Sequence, residues 1–489
     1  MKAIIQKRPI YLFLLSIFFV FHGYTENYDF IPVKDVLLLC LLYLGSSVLL
    51  ALVFWFLYKN SSKAAFIAFT LMSAYFFFGY IYDNLYSISP NGIFSKYSVI
   101  LVLLLGVILF FFIYLFRHRG SLYKLTYVLN IFLICLLVVD AVWLITKIVR
   151  RNGDAGTKFL SSFSICDTCA RPDIYLVIAD DYAGDQELQE MMGFDNVQFE
   201  NQLQKRGFHS PQSVSNYNFT PFSIASMLQM EYLGNIDRKN TSHNDLSICY
   251  DLIRENKVVA FLSAYGYKLF NYSIFDIHDQ PAMVTESILP EKTKFITAQT
   301  LFNRIDKNML FNMANRLGAR QKMRRLMLSH HSNVRAIDSI KNLAGRNLSE
   351  PKFVYAHLIM PHFPYYFDKF GKSRGLTQLR EGDEQKIDDY VEYLQYTNGV
   401  LLNLIDTVLL KSKRPPIIIL ASDHGFREFN KKVDRKYYFM NHLSIHLPDQ
   451  NYTSLYDNIS NVNLFRVLFN HQFHQQFKLL KDTTIFINP

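Results

Sequence analysis

The chain has 489 residues, 51 Lys and Arg against 41 Asp and Glu, and five Cys. That length exceeds one ordinary domain, and so few Cys exclude a disulfide-built scaffold. The net charge of +10 falls partly in short loops between apolar runs, where it reports membrane orientation and not a nucleic-acid partner.

The first third is a series of five apolar stretches, at about Pro9–Tyr24, Val36–Tyr58, Ala64–Ile81, Val99–Phe116 and Leu125–Ile148. Most reach the roughly 20 residues that cross a bilayer core of about 30 Å. Tyr24, Trp55, Tyr58 and Trp143 sit at interface depths near their ends. Lys2, Lys7 and Arg8 precede the first stretch, Lys59 and Lys63 follow the second, and Arg117, Arg119 and Lys124 follow the fourth. The positive-inside rule places those loops in the cytoplasm and everything after the fifth stretch outside it. Lys147, Arg150 and Arg151 at the outer end run against that bias. The first stretch is short enough for a signal peptide, although no small-residue cleavage site follows, and either reading leaves the large domain outside. Asp140, the one acid within a span, has no charged partner in the others and reads as a helix-packing residue.

A polar linker follows, and then short apolar runs alternate with helical patterns. Asp173-Ile-Tyr-Leu-Val-Ile-Ala-Asp180 and Pro416-Ile-Ile-Ile-Leu-Ala-Ser-Asp423 are buried-strand patterns that end in acid. Tyr267–Phe275 and Phe353–Met360 are further strand candidates, with helices over Val197–Lys205, Asp251–Tyr265 and Asp388–Leu410. This alternation predicts an α/β domain with a mostly parallel central sheet, whose ligands bind at the carboxyl ends of its strands.

Four segments carry chemistry: Asp180-Asp181-Tyr182; Asn216-Tyr-Asn-Phe-Thr220-Pro-Phe-Ser223; Pro361-His362-Phe-Pro364; and Ser422-Asp423-His424-Gly425. Carboxylates with imidazole suit Zn²⁺ or Mn²⁺, and a divalent ion on a Thr hydroxyl lowers its pKa toward an alkoxide nucleophile. Each piece has a plainer reading: Thr220 before Pro221 also reads as a helix cap. It is the order and strand-end placement of all four that point to a metal-assisted active site.

Those segments resemble the sulfatase-like hydrolase/transferase group of the alkaline phosphatase superfamily. That group includes lipoteichoic acid synthases and lipid A phosphoethanolamine transferases, which join five membrane helices to an outer catalytic domain. The resemblance implies a transmembrane domain over 1–151, a linker with a Cys-x-x-Cys pair over 152–170, and an extracytoplasmic sulfatase-like domain over 171–489. It implies a metal held by Asp180, Thr220, Asp423 and His424, with Thr220 the nucleophile. Asp181 stands as an additional or alternative ligand, because the sequence leaves open which acid faces the metal. His362 resembles a substrate-contacting His in a Pro-His-x-Pro turn, and His442 or His446 is a candidate further contact to metal or phosphate. Typical sulfatases carry Cys-x-Pro-Ser-Arg or its Ser form, whereas this chain has Thr220-Pro-Phe-Ser223-Ile224. Formylglycine chemistry is thereby disfavoured, and a phosphothreonine intermediate is expected. No second Asp-His-His trio is evident.

The implied function is transfer of a phosphoethanolamine- or phosphoglycerol-type headgroup from a membrane lipid donor to an envelope glycan or lipid, at the inner membrane. Alternatives are a metal-dependent phosphodiesterase or sulfatase-like hydrolase, and a non-catalytic membrane-anchored binding protein. Cys166 and Cys169 are expected to form a disulfide, with Cys249 the alternative partner. The basic run Arg316, Arg320, Lys322, Arg324 and Arg325 is either a lipid- or substrate-binding face or a solvated helix face. There is no Walker A loop, dinucleotide fingerprint or Gly-x-Ser-x-Gly elbow, and no obligate protein partner is evident.

Overall fold

A computed structural model describes residues 6–28, 31–88, 92–93, 96–151, 163–234, 241, 243–283, 293–308, 327–375, 378–379 and 384–488. The basic run at 316–325 and most of the linker, 152–162, lie outside them. The chain divides into two compact units, one of Met1–Gly153 with Glu286–Ala319 and one of Asp154–Thr285 with Arg320–Pro489.

The first unit begins with five apolar helices: α1 (Tyr11–Glu26), α2 (Val33–Tyr58), α3 (Ser61–Ile88), α4 (Tyr97–Arg117) and α5 (Tyr123–Arg151). Four are long and apolar enough to cross a membrane, and α1, at 16 residues, is shorter. Side chains such as Leu41 and Phe110 stand 67% and 63% exposed, as a lipid-facing surface requires when the backbone is satisfied within helices. The inward faces pack Tyr11, Leu15, Phe19, Tyr43 and Phe76 together.

Two polar contacts revise the sequence reading of this unit. Asp140 does have a partner, since its Oδ1 lies 3.0 Å from His22 Nδ1 on α1. Lys147 donates to Thr25 O at 2.7 Å and Glu26 O at 3.3 Å. It thereby caps the carbonyl end of α1, where a cation is favoured, which gives this basic residue a structural role.

Two short helices from much later in the chain, α11 (Lys294–Thr297) and α12 (Leu301–Asn308), also belong to this unit. Ile296 is buried against Gly23 of α1, where an added Cβ would stand 2.8 Å from Ile296 Cγ2. Gly79 N donates to Gln299 O at 2.8 Å, and Arg304 pairs with Asp83.

The second unit is an α/β domain. Its six-stranded sheet runs β2 (Phe208–His209), β8 (Leu443–His446), β6 (Ile417–Ala421), β1 (Ile174–Ala179), β5 (Lys352–Leu358), β4 (Lys268–Tyr272) in space. The four strands from β6 to β4 are parallel, with Ile174 opposite both Phe353 and Ile417, and β8 closes one side antiparallel. Three short strands, β7 (Met440–Asn441), β3 (Ser213–Val214) and β9 (Ile459–Ser460), form a second sheet.

Continuous apolar runs are what this arrangement needs. Ile174, Leu176 and Ile178 of β1 face one core with α8 (Thr220–Gln229) and α15 (Asn461–Phe473). Tyr175, Val177 and Ala179 face another, with α13 (Leu328–Ala344) and α14 (Ile387–Lys411). Each large aliphatic side chain so buried contributes about 1.5–3 kcal/mol. The helix expected over Asp251–Tyr265 is two: α9 (His243–Arg254) and α10 (Lys257–Ala264). Asn256 breaks them apart, because its Oδ1 accepts from Val259 N at 2.8 Å and caps α10. Cys166 and Cys169 are disulfide-bonded, and Cys249 is a free, buried core residue.

Candidate active site

Three strands deliver the site at their carboxyl ends. Asp180 and Asp181 follow β1, His357 lies near the end of β5, and Asp423 and His424 follow β6. Asp181 takes a left-handed turn at φ +64°, a conformation Asp tolerates better than most residues. Its backbone N–H reaches Asp423 Oδ1 at 3.0 Å. Gly425 is required by proximity: a Cβ there would stand 2.7 Å from both Met440 O and Glu187 Oε2.

Thr220 is not a helix cap. Phe219 occupies that position, and Thr220 is the first residue of α8, with Pro221 next. Its Oγ1 lies 3.2 Å from His424 Nε2. The helix beneath is anchored to the other strand end, since Ser223 Oγ donates to Asp423 O at 2.5 Å. Asn461 on α15 reaches the same carbonyl at 3.3 Å.

Asp180, Asp423 and His424 are all buried, each with a ligand atom within 4.8 Å of the others. His424 Nδ1 donates to Gly425 O at 2.8 Å. Burial, and then the charge of Arg427, lower the His424 pKa to about 4 against the pull of Asp423 and Asp180. The ring is therefore neutral, with its Nε2 lone pair facing Asp423 Oδ2 at 3.1 Å. Asp423 Oδ2 and Asp180 Oδ1 are buried and have no hydrogen-bond partner among the described residues. Three electron-pair donors converging without a proton between them fit a divalent cation, and carboxylate with imidazole is a Zn²⁺ or Mn²⁺ donor set.

The two acids after β1 are not equivalent. Burial raises the Asp180 pKa, but the charge of His362 and the hydrogen bond and charge of His357 outweigh it and hold this carboxyl well below its usual range. Burial, with Asp180 and Asp423 adding to it, pushes Asp181 well up despite His362 and Arg427. Asp180 joins the cluster as the anion. Asp181 lies behind it, its Oδ1 3.5 Å from His424 Nδ1, on the ring's other side from Nε2.

His362 sits in the expected Pro-His-Phe-Pro turn, where both X–Pro bonds are cis. Its N–H donates to Asp180 O at 3.1 Å and its Nδ1 to Phe363 O at 2.6 Å. Burial lowers its pKa, yet Asp180 and Asp181 prevail and raise it.

The side chains of His442 and His446 do not join the cluster. His442 Nε2 meets Ser444 Oγ at 3.0 Å and its Nδ1 lies 3.5 Å from Glu200 Oε1, with the ring against Tyr182 and Phe199. His446 Nδ1 donates to Pro416 O at 3.0 Å. Pro416 precedes β6 and Asp423 follows it, so His446 lies at the wrong end of the strand.

Two neighbours escaped the sequence reading. His357 Nε2 lies 3.4 Å from Asp180 Oδ2, and its only signal was a His within a buried strand run. Arg427, two residues after Gly425, donates from Nη1 to Asn218 O at 3.0 Å and stacks over Phe219. Phe426 between them is wholly buried, which hides the proximity from a hydropathy reading.

A family model described as Sulfatase matches residues 173–477, a stretch that contains every residue of this cluster. Solved structures similar to the chain include the C-terminal periplasmic domain of EcEptC from Escherichia coli. That likeness is 12% identical, covers 67% of this chain and 92% of that one, and has a TM-score of 0.42. For the C-terminal periplasmic domain of phosphoethanolamine transferase EptC from Campylobacter jejuni the values are 15%, 66%, 97% and 0.37. For phosphonate monoester hydrolase of Agrobacterium radiobacter they are 11%, 63%, 74% and 0.39. No curated protein matches the chain. The family match spans more than half of the chain, which therefore belongs to the sulfatase family of alkaline phosphatase-like proteins, here preceded by apolar, membrane-type helices.

Proposed function

We propose that the protein is a membrane-bound, metal-dependent phosphotransferase acting on the outer side of the cytoplasmic membrane, with Thr220 as nucleophile. The observation that carries this reading is Thr220 Oγ1 at 3.2 Å from His424 Nε2, beside the unpartnered carboxylate oxygens of Asp180 and Asp423. The donor is a lipid with a phosphoethanolamine- or phosphoglycerol-type headgroup, and the acceptor is an envelope glycan or lipid. Family membership, membrane-type helices and a threonine in place of the oxidisable Cys or Ser support it.

Asp180, Asp423, His424 and Thr220 are the residues to hold a divalent ion, Zn²⁺ or Mn²⁺. Such an ion supplies positive charge that lowers the Thr220 hydroxyl pKa and offsets charge on the phosphoryl group. Thr220 Oγ1 forms a bond to phosphorus as the bond to the lipid alcohol breaks, and the threonine proton ends on the departing alcohol. An acceptor hydroxyl then attacks the phosphothreonine, and its proton returns to Thr220. His362, with Nδ1 fixed by Phe363 O, orients Nε2 toward the phosphoryl oxygens and relays the proton.

The test uses the purified full chain in detergent, with vesicles of headgroup-labelled phospholipid. Thr220→Ala is expected to lose more than about 10³-fold in turnover and to hold its metal more weakly, through the three ligands that remain. Asp423→Asn is expected to lose both. Full turnover and metal in both variants would refute this site. Label appearing only as a free headgroup, with every acceptor class supplied, would make the enzyme a phosphodiesterase.

A further inference from the structure

We infer that Arg427 is a substrate-binding residue of this site, its guanidinium receiving a non-bridging oxygen of the tetrahedral anion that Thr220 attacks. The inference rests on the proposed nucleophilic role of Thr220 and assigns the substrate's charge to a particular side chain.

The placement comes from both sides of the site. Phe426 is wholly buried and its N–H is fixed on Glu187 Oε2 at 3.2 Å. The chain leaving Gly425 is thus pinned, and Arg427 is directed toward the loop before α8. There its Nη1 donates to Asn218 O, and its Cζ lies 5.3 Å from the centre of the Phe219 ring. Asn218 and Phe219 are the two residues directly before Thr220. Arg427 therefore links the metal-binding strand end to the nucleophile's helix.

What distinguishes it from a structural arginine is unused capacity. Among the described residues it makes no ion pair with a carboxylate within 4.0 Å. Its Nε is buried and has no hydrogen-bond partner among those residues. A buried guanidinium donor left unsatisfied is destabilising. A planar fork of N–H donors matches the oxygens of a phosphate or sulfate ester. Arg427 stands three residues after His424 and donates to the carbonyl two residues before Thr220, so the cation lies at the site and not on a remote surface. The cation–π contact holds the guanidinium in place without consuming its donors.

The experiment compares parent, Arg427→Met, Arg427→Lys and Thr220→Ala as full-length protein in detergent. Bis(p-nitrophenyl) phosphate is the chromogenic probe and inorganic phosphate the competing anion. Arg427→Met is expected to lower kcat/KM about 100-fold, the cost of one oxyanion donor. Phosphate inhibition should weaken at least tenfold, with metal content and thermal midpoint unchanged. Arg427→Lys is expected to fall between Met and parent, and guanidinium added to Arg427→Met to restore part of the rate. A purely structural role would not produce that restoration. Activity of Arg427→Met within threefold of the parent, or full activity and unchanged phosphate inhibition in Arg427→Lys when Arg427→Met has lost its metal or fold, overturns the inference. Full activity in Thr220→Ala would overturn the proposed function instead.

Discussion

Asp173, at the start of β1, and Lys352, at the start of β5, form a buried ion pair whose removal should separate stability from chemistry. Lys352 Nζ lies 3.0 Å from Asp173 Oδ2, and both side chains are 1% exposed. Nζ also donates to Arg346 O at 3.1 Å, while Lys352 N donates to Asp173 Oδ1 at 2.9 Å. Changing Lys352 to Met leaves the carboxylate buried, which costs about 3–5 kcal/mol. Arg414 Nη1, 3.7 Å from Asp173 Oδ1, offers partial compensation, so the low end, about 3 kcal/mol, is expected. At about 2 °C per kcal/mol for a domain of this size, the thermal midpoint of the full chain in detergent should fall by about 6 °C. The double variant Asp173→Asn with Lys352→Met removes both charges and should recover most of that loss. Asp173 and Asp180 lie at opposite ends of β1, about 20 Å apart at strand rise, so metal content should not change in either variant. A fall of less than 2 °C in the single variant, or a double variant no better than the single, would refute the reasoning.

Gly425→Ala places a Cβ against Tyr437 O, Met440 O and Glu187 Oε2. Two of these are backbone atoms and cannot yield, so His424 should be displaced; metal content measured by mass spectrometry should drop together with the thermal midpoint. Glu187 is wholly buried, and burial raises its pKa well above the ordinary range despite the Phe426 N–H. The fold therefore holds a proton that the unfolded chain releases. Its contribution is full below the unfolded pKa and is lost as pH rises toward the folded one, at up to about 1.4 kcal/mol per pH unit. Glu187→Gln should match the parent in thermal midpoint near pH 4 and exceed it near pH 8; a parallel pH profile would show that Glu187 is ionised in the fold.

The strands and the two metal-side motifs were legible because they depend on local pattern. Runs such as Ile174–Ala179 and Ile417–Ala421 must be apolar at every position when both faces are covered, and an acid directly after such a run lies at the strand's carboxyl end. Contacts made across long separations left no such mark. His22 and Asp140 are 118 residues apart, and each alone looks incidental on an apolar helix. His357 was concealed by its strand, and His446 misled because its distance in sequence from Asp423 says nothing of which strand end it occupies. Thr220 before Pro221 matches a cap pattern, and only the fold shows its hydroxyl turned to His424 and not back to its own helix.

The packing of Ile296, Gln299 and Arg304 against α1 and α3 has a consequence for how the gene can be divided. The chain passes between the two units three times, so no single cut separates an anchor from an enzyme. A fragment beginning at 163 would carry Ile296 without the Gly23 surface that buries it and Arg304 without Asp83. Exchanging the N-terminal helices for those of a relative would likewise require exchanging 293–308 with them. Substitutions at Asp83 and Arg304 should accordingly be inherited as a pair, although they are 221 positions apart.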